Sequence, residues 1–314
     1  MRKNLLTACL LMLSMTTFAQ KFTIPVFPDS QSEIDSNMGM FNSQLDWIIQ
    51  NQKKENIPMV LHVGDIVNFD NLTHWDKASQ GFARLDSAHI DYAITLGNHD
   101  NEAVQEYNGS AAPGDTHANV RKTSKFNSYF PTYRFRAQRG TYEPGKSDNA
   151  YYTFRTGNTY WLVVTLEFCP RPEMVEWANK IVKKYHEHNV IILTHYYLNG
   201  KGEIVKNNAG YGDSSPQYIF DNLVKLHPNI KFVISGHVGF SSFKVDEGVN
   251  HNKIYQMLQN YQNVEYGGGY LRLMRFDLDK GTVDCELYSP YFKKSKPENT
   301  HYKIEGFTTI KPKL

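Results

Sequence analysis

Several features are scarce or absent in this sequence. Its cysteines, Cys9, Cys169 and Cys285, are not spaced as the ligands of a zinc knuckle, so the last two either pack in the core or form one disulfide. With 34 basic and 32 acidic residues, the chain has no strong positive field. Long nucleic acid is therefore not an expected partner, because such binding depends on neutralising many phosphates. No linker, charge block or repeat divides the chain, which favours a single domain over residues 20–314.

Long apolar segments are also scarce, and the one near the start of the sequence, residues 5–15, is too short to span a bilayer. Two basic residues precede it and a Thr-Phe-Ala sequence ending at Ala19 follows it, which is the layout of a secretory signal peptide over residues 1–19. The alternative is a lipoprotein signal at Cys9, although little apolar sequence lies upstream of that residue. Both interpretations predict a secreted or periplasmic protein, with no integral membrane segment after the signal is removed.

Short apolar, β-branched and aromatic runs alternate with stretches of helical periodicity, which predicts an α/β fold. Strands are expected over residues 24–27, 59–63, 92–96, 160–166, 190–194 and 231–235. The apolar stripes of the helices between them, which we expect to face the core, are Phe41, Leu45, Ile48 and Ile49; Trp75, Ala78, Phe82 and Leu85; Val175, Ala178, Val182 and Tyr185; and Ile219, Leu223 and Leu226. Ser215 as N-cap and Pro216 in the first turn would begin the last of these helices.

Two parts of the chain depart from this alternation. Residues 101–149 are polar and weakly periodic, and a loop of that length in a compact domain is usually functional or mobile, so we expect a long insertion near the site. Residues 253–314 are rich in predicted strands, which indicates a second sheet rather than a continued doubly wound series.

Polar residues follow the predicted strands where each strand ends. In chain order they are Asp29, Gln31, Asp65, Asn98, His99, Asp100, His195 and His237. Because ligands bind beyond the carboxyl ends of strands in an open α/β sheet, we expect these side chains to meet. Carboxylate, imidazole and carboxamide groups together suit Zn, Fe or Mn. Glycine directly before Asp65, Asn98 and His237 allows a sharp turn and the close approach of a ligand.

The order of these motifs resembles that of the calcineurin-like metallophosphoesterases, whose motifs read D-x-H, GD-x-x-D, GNH-D/E, a single H and GH-x-H. The resemblance covers residues 24 to about 238, and the Pro-Asp-x-Gln opening with the later Gln-Asn-Tyr-Gln at 259–262 is similar to a secreted bacterial branch. It implies a four-layer α/β/β/α sandwich with two mixed β-sheets and one or two metal ions. By position, Asp65 would bridge the two ions, Asp29 and Gln31 would bind the first, and Asn98, His195 and His237 would bind the second.

Three positions depart from the family pattern. Gln31 replaces a histidine and is a neutral, weaker donor, and Gly239 stands where the last histidine of GH-x-H would bind the first metal. The first ion would bind weakly or draw on another residue such as Asn260, so we expect a strong second site and a labile first one. Asn68 replaces the second aspartate of GD-x-x-D and can still form hydrogen bonds.

The resemblance implies an exported phosphoesterase that hydrolyses phosphate esters through a metal-activated water molecule. His99 would act as general acid and Asp100 would orient its ring. The substrates would be small phosphorylated compounds, and both phosphomonoesters and diesters of nucleotides, phospholipids or sugar phosphates are compatible with it. A catalytically impaired binding protein is the alternative of another class, against which the retained His99 argues.

Other residues carry weaker signals. The arginines of the insertion either bind phosphate or form a solvated strand face: Arg134, Arg136 and Arg139. Nearby tyrosines either line a substrate pocket or belong to the core and its rim: Tyr133, Tyr142, Tyr151 and Tyr152. The remaining histidines that we expect to be structural are His62, His74, His89 and His186.

Overall fold

The fold is described from a computed structural model, over residues 20–296 and 300–310. The predicted signal segment lies outside these residues. The strands are β1 (Lys21–Phe27), β2 (Val60–His62), β3 (Tyr92–Ile94), β4 (Gln138–Thr141), β5 (Ala150–Thr156), β6 (Thr159–Leu166), β7 (His188–Thr194), β8 (Ile230–Ser235), β9 (Ser241–Glu247), β10 (Lys253–Gln259), β11 (Leu271–Asp277), β12 (Thr282–Ser289), β13 (Lys294–Ser295) and β14 (Tyr302–Glu305).

Helices occupy the connections. The α-helices are α1 (Gln31–Ser36), α2 (Met38–Asn51), α3 (Leu72–Ser87), α4 (Thr116–Asn119), α5 (Ser124–Tyr129), α6 (Pro172–Lys184) and α7 (Pro216–Asn222). Short 3₁₀ helices lie at Thr132–Arg134, Val224–Leu226 and Glu265–Gly267. None of the helices in the described ranges is long and apolar enough to cross a membrane.

The described strands form two mixed sheets. The first has the order β13-β12-β11-β1-β2-β3, with β14 paired to β12, and β1, β2 and β3 are parallel. The second has the order β4-β5-β6-β7-β8-β10-β9, with β6, β7, β8 and β10 parallel. Antiparallel pairs flank the parallel strands in both sheets, so the prediction of two mixed sheets is confirmed.

The sheets pack face to face and helices cover their outer faces. Between the sheets, Phe276 on β11 contacts both Trp161 on β6 and Phe232 on β8, with ring centroids 5.2 and 5.8 Å apart. Outside the first sheet, Phe41 and Phe82 of α2 and α3 pack against strand residues, as their helical stripes predict. The stripe of α6 packs on the second sheet in the same way. These layers give the α/β/β/α sandwich that the motif pattern implies.

Two expectations about the later part of the chain need correction. The strand-rich region from residue 253 does not form a sheet of its own, because β10 extends the second sheet beside β8 whereas β11 to β14 join the first sheet. Helix α7 begins at Pro216 with Ser215 as its N-cap, as predicted, but it ends at Asn222. Leu226 therefore falls on a 3₁₀ turn and is 41% exposed rather than part of a core face.

The positions of Cys169 and Cys285 decide between core packing and a disulfide. Cys169 and Cys285 are both buried and both free, so packing is correct and the disulfide is not formed. Cys285 lies on β12 within the main core, and Cys169 lies in a smaller apolar cluster beside Phe168. Burial raises the pKa of each thiol to about 12, which keeps both as unreactive thiols near neutral pH.

The insertion at 101–149 is more ordered than its composition suggests. Its α5 packs against α3 through Phe126 and Trp75, and its β4 adds an edge to the second sheet. A small hairpin closed by the pairing of Val104 with Ala111 carries Gly109, where a Cβ would lie 3.8 Å from His99 Cε1. The insertion therefore reaches one of the predicted site residues.

Candidate metal centre

The predicted site residues lie at the carboxyl ends of parallel strands from both sheets. Asp29 follows β1, Asp65 follows β2 and Asn98 follows β3, all in the first sheet, whereas His195 follows β7 and His237 follows β8 in the second. The two edges meet because backbone and side chains bond across them. The backbone N–H of His237 donates to Asp29 Oδ2 at 3.0 Å, and His195 Nδ1 lies 2.7 Å from the carbonyl of Val63.

Three of these side chains form a compact cluster. Asp65, His195 and His237 each present a ligand atom, and these atoms all lie within 4.8 Å of one another. His195 Nδ1 faces a carbonyl oxygen and must donate its proton there, which fixes the tautomer and turns Nε2 towards Asp65 Oδ2, 3.2 Å away. A histidine held through one ring nitrogen, with the other beside a carboxylate, is the usual arrangement of a metal ligand.

Two amide oxygens among the predicted ligands also lack ordinary partners. Gln31 Oε1 and Asn98 Oδ1 are buried and make no hydrogen bond, and neither does His195 Nε2. A buried acceptor without a donor costs on the order of 1–3 kcal/mol, so such atoms in a native protein call for an explanation. A cation satisfies oxygen and imidazole acceptors together, so the donor set fits a metal ion.

Glycine and strained backbone bring the ligands together. A Cβ on Gly97 would overlap Asp65 Oδ1, and a Cβ on Gly236 would overlap Asp29 Oδ1. Asp65 and His237 have φ angles of 52° and 75°, which are unusual for residues with side chains and are typical of functional sites. The glycines that precede Asn98 and His237 are therefore required by the carboxylates packed against them, as the sequence predicts.

Burial and neighbouring charges shift the pKa values of the site residues. Burial alone would lower the pKa of His195, but the carboxylates of Asp65 and Asp29 raise it to about 9. Burial acts to raise the pKa of Asp65, but the charges of His195, His99 and His237, with the hydrogen bond from His195, together outweigh burial, so the net shift is downward. Burial together with His195 lowers the pKa of His237 to about 3. Burial also raises the pKa of Asp29 well above its usual range.

Asp100 does not orient the ring of His99, contrary to the prediction. Its carboxylate accepts hydrogen bonds from the backbone N–H groups of Ile66, Val67 and Gly97, at 2.8, 3.2 and 2.9 Å. The His99 ring is held instead by the carbonyl of Asn68, 2.7 Å from Nδ1. Since a carbonyl only accepts, Nδ1 carries a proton and Nε2 is the ring nitrogen left for chemistry. Asp100 therefore holds the loops after β2 and β3 in place, and the carbonyl of Asn68 orients the ring of His99.

His62 supports the loops of the site through hydrogen bonds but is not part of the cluster of Asp65, His195 and His237. Gly64 N–H donates to His62 Nδ1 at 3.1 Å, so the ring proton is on Nε2, which donates to Ser30 Oγ at 2.9 Å. Ser30 in turn donates to the carbonyl of Ile66. Burial lowers the pKa of His62 to about 3, which keeps it neutral. Its structural role agrees with the prediction.

An aromatic wall beside the cluster was not predicted. It consists of Phe168, Tyr196 and Tyr211, whose ring centroids lie 5.2, 4.7 and 6.1 Å from that of His237. Phe168 lies two residues after the end of β6, and Tyr196 directly follows His195. These adjacencies were available in the sequence, whereas Tyr211 sits on a long loop whose path only the fold reveals.

The arginines and tyrosines of the insertion serve the fold. Arg134 pairs with Asp86 at 2.7 Å, Arg136 pairs with Asp91 at 3.0 Å, and Arg139 donates to Thr153. Three of the four tyrosines lie in the core or on its rim, since Tyr152 is fully buried and Tyr142 and Tyr151 pack on Trp177. The fourth, Tyr133, is 84% exposed.

Asn260 is occupied elsewhere and is a poor substitute ligand. Its Nδ2 donates to the carbonyl of His237 at 2.8 Å, and its Oδ1 accepts from the N–H of Gln262 at 3.1 Å. Its Nδ2 holds the His237 loop, and its Oδ1 is taken up by Gln262 of its own loop.

The family assignment follows from comparison with known proteins. The family model for the calcineurin-like phosphoesterases matches residues 24–239, so the chain belongs to that family. A relative from Bacillus subtilis (strain 168), the uncharacterized protein YvnB, is 33% identical over 281 residues. These residues are 87% of this chain but 20% of YvnB, so the chain spans about a fifth of that relative's length.

Solved structures agree on the fold. A purple acid phosphatase from yellow lupin (Lupinus luteus) seeds superposes with a TM-score of 0.56 at 13% identity, covering 91% of this chain and 54% of the phosphatase chain. At this identity the likeness supports the sandwich architecture alone. The donor chemistry of the site rests on the residues themselves.

Proposed function

We propose that this protein is a metal-dependent phosphoesterase that hydrolyses small phosphate esters. The observation that carries the proposal is the convergence of Asp65, His195 and His237 from three separate strands, with all ligand atoms within 4.8 Å. The unpartnered oxygens of Gln31 and Asn98 supply further donors at the same edge. Family membership gives this donor set its chemistry, because calcineurin-like proteins are phosphoesterases.

The ligands divide into two groups around a shared carboxylate. Asp65 would bridge, Asp29 and Gln31 would hold a first ion, and Asn98, His195 and His237 would hold a second. Such ions, when bound, neutralise phosphoryl oxygens and activate water near neutral pH. Zn, Fe and Mn all suit a set of carboxylate, imidazole and amide donors. The two imidazoles on the second ion make it the tighter site.

His99 supplies the proton for the leaving group in this proposal. His99 is half-buried. Its backbone N–H donates to Asp65 Oδ1 at 2.9 Å, which holds His99 next to the proposed bridging ligand. With Nδ1 fixed on the Asn68 carbonyl, the protonated ring presents Nε2–H as the donor. Gly109 of the insertion lies beside the ring and would limit solvent access.

Phosphomonoesterase and phosphodiesterase activity are tested directly with paired substrates. Purified protein is assayed with p-nitrophenyl phosphate and bis(p-nitrophenyl) phosphate, with Mn²⁺, Zn²⁺ or Fe²⁺ supplied after chelation. We expect turnover of at least one ester, lost on chelation and restored by metal. An Asp65→Ala variant should lose metal and activity together. Metal binding without turnover of either ester would instead favour a binding protein with this fold.

Export is part of the same proposal and has its own test. The signal-like composition of residues 1–19 supports a secreted or periplasmic location. Full-length protein expressed in a bacterial host should appear in the extracytoplasmic fraction with its amino terminus at Gln20. A Leu-to-Arg change within the apolar run should retain it in the cytoplasm at full length.

A further inference from the structure

Gln259 is a fully buried residue whose side chain has no partner. Both its Oε1 and its Nε2 lack hydrogen bonds, and its exposed fraction is 0%. Leaving one buried polar atom unpaired is costly, and this amide leaves two. A glutamine is kept at such a position when something other than the surrounding protein satisfies it.

The side chain of Gln259 faces the space between the two sheets. Alternate residues of β10 point to the same side, and Tyr255 on that side contacts Phe232, which in turn packs on Phe276 of the first sheet. The antiparallel partner of Gln259 is Ser241, whose Oγ accepts from Arg272 of the first sheet at 3.1 Å. Paired residues on neighbouring strands share a face, so Gln259 points the same way.

Gln259 also lies level with the carboxylate of Asp29. The parallel pairing of β10 with β8 ends with Leu258 beside Ser235, and Gln259 and Gly236 are the next residues along the two chains. A Cβ on Gly236 would overlap Asp29 Oδ1. The Gln259 side chain therefore points to the side of the second sheet on which the Asp29 carboxylate lies.

Gly239 stands where the family pattern has a histidine that binds the first ion, and its surroundings do not admit a histidine side chain. Gly239 has a φ of 72°, and a Cβ there would lie 2.9 Å from the Cα of Gly200. A histidine at this position would need the two loops to separate. The His237–Gly239 turn is thus built for glycine, and the donor for the first ion must come from another strand.

We infer that Gln259 Oε1 is a ligand of the first metal ion, completing a set with Asp29, Gln31 and the bridging Asp65. The inference rests on the proposed function and extends it to a residue to which the sequence pattern assigned no role. Two amide oxygens and two carboxylates make an oxygen site, which suits a harder ion such as Mn²⁺ better than the imidazole-rich second site does. Gln259 Nε2 is then free to donate to an oxygen of a bound phosphate.

The test measures metal binding rather than activity. Metal-free full-length protein is titrated with Mn²⁺ by calorimetry, and the spin coupling of paired Mn²⁺ ions is followed by electron paramagnetic resonance. Wild type should bind two ions of unequal affinity and show a coupled signal. Gln259→Leu should weaken binding of the ion at the first site, the weaker of the two sites, at least about tenfold, and the coupled signal should be lost. The affinity of the tighter, second site should be unchanged.

A matched control lies on the same strand. Gln256 is also fully buried, but it donates to Asp246 at 2.7 Å and faces away from the space between the sheets. Gln256→Leu should keep both ions. Gln259→Glu keeps an oxygen donor and adds charge, so it should bind the weaker ion at least as tightly as wild type and should gain more thermal stability from Mn²⁺.

Each outcome has a definite meaning. Two ions of wild-type affinity in Gln259→Leu would overturn the inference and leave the proposed function intact. A single ion in wild type at saturating Mn²⁺ would also overturn it. No ion in wild type would overturn the proposed function itself. Should Gln259→Leu fail to fold, Gln259→Glu decides, because a purely structural glutamine predicts no rise in Mn²⁺ affinity or in Mn²⁺-induced stability.

Discussion

The carboxylate of Asp29 occupies the space in which Gly236 would carry a side chain. Asp29 comes from the first sheet and Gly236 from the second, so this contact joins the two halves of the sandwich at the metal centre. The same carboxylate accepts the backbone N–H of His237. One predicted ligand thereby sets the position of the next, and the glycine is as necessary to this arrangement as the charged residue.

The first prediction concerns Gly236→Ala. The added methyl group overlaps Asp29 Oδ1 and would lie 2.7 Å from Val63 Cγ2, so the carboxylate must move. We expect metal affinity to fall by about 10- to 100-fold, as for other changes that reorient a ligand. Calorimetric titration with Mn²⁺ measures the loss, and activity should return in part at high Mn²⁺.

Gly200→Ala is the control for this change. A Cβ on Gly200 would meet Gly239 Cα at 3.6 Å, an ordinary contact, and Gly200 has no left-handed φ. This variant should bind metal as wild type does. Equal metal affinity in Gly236→Ala would show that Asp29 does not bind the ion in its present position.

The second prediction separates proton transfer from metal binding. His99 contributes no atom to the three-residue cluster, and its Nδ1 is fixed on the Asn68 carbonyl. His99→Ala should reduce kcat by about 10²- to 10⁴-fold while metal content stays normal. The loss should be larger for an alkyl phosphate than for p-nitrophenyl phosphate, because p-nitrophenolate leaves with little help from an acid.

Metal analysis and kinetics with both esters measure this difference. His251→Ala, which changes an exposed histidine, should behave as wild type. Equal losses with the two leaving groups would mean that His99 positions the phosphate rather than donating a proton.

The third prediction assigns Asp100 to the fold. Its carboxylate satisfies three backbone N–H groups, those of Ile66, Val67 and Gly97. Asp100→Ala leaves these buried donors unpaired, at about 1–3 kcal/mol each, so the free energy of unfolding should fall by at least about 3 kcal/mol. Urea unfolding measures the loss, with Asp279→Ala at an exposed turn as the control. A fully stable variant with reduced kcat would restore Asp100 to a catalytic role.

Much of the candidate metal centre could be predicted because its residues obey a simple rule. Asp65, His195 and His237 each follow a buried strand, and the carboxyl ends of the parallel strands of both sheets meet at the same end of the sandwich. The positions of these residues along the chain therefore sufficed. The assignment of β10 and β11 to different sheets did not follow, because strand composition indicates a strand but not its neighbour.

Residues whose role depends on register or loop path could not be predicted. The orientation of Gln259 follows from the pairing of β10 with β8 and β9, which no local pattern encodes. Asp100 sits beside His99 in sequence, yet its oxygens turn towards backbone donors 33 and 34 residues away. Adjacency in sequence suggested His99 as the partner of Asp100, whereas in the tertiary structure the carboxylate of Asp100 accepts hydrogen bonds from backbone N–H groups.

The last prediction concerns the aromatic wall. Tyr211 is half-buried, and its ring meets Phe168 edge to face at 5.3 Å and lies 6.1 Å from His237. An aromatic group on the substrate could pack against this surface while its phosphate lies at the metal centre. Aromatic pairs contribute about 0.5–1.5 kcal/mol beyond buried area, so Tyr211→Ala should raise KM for p-nitrophenyl phosphate by about two- to tenfold, with kcat and metal content unchanged.

A small alkyl phosphate separates recognition from site geometry. It cannot use the wall, so its KM should be the same in Tyr211→Ala and wild type. Tyr133→Ala, which removes an 84% exposed ring from the insertion, should leave both substrates unaffected. Equal losses for the aryl and alkyl esters would mean that Tyr211 supports His237 instead of contacting the leaving group, since only a shift of the metal ligands would act on both substrates alike.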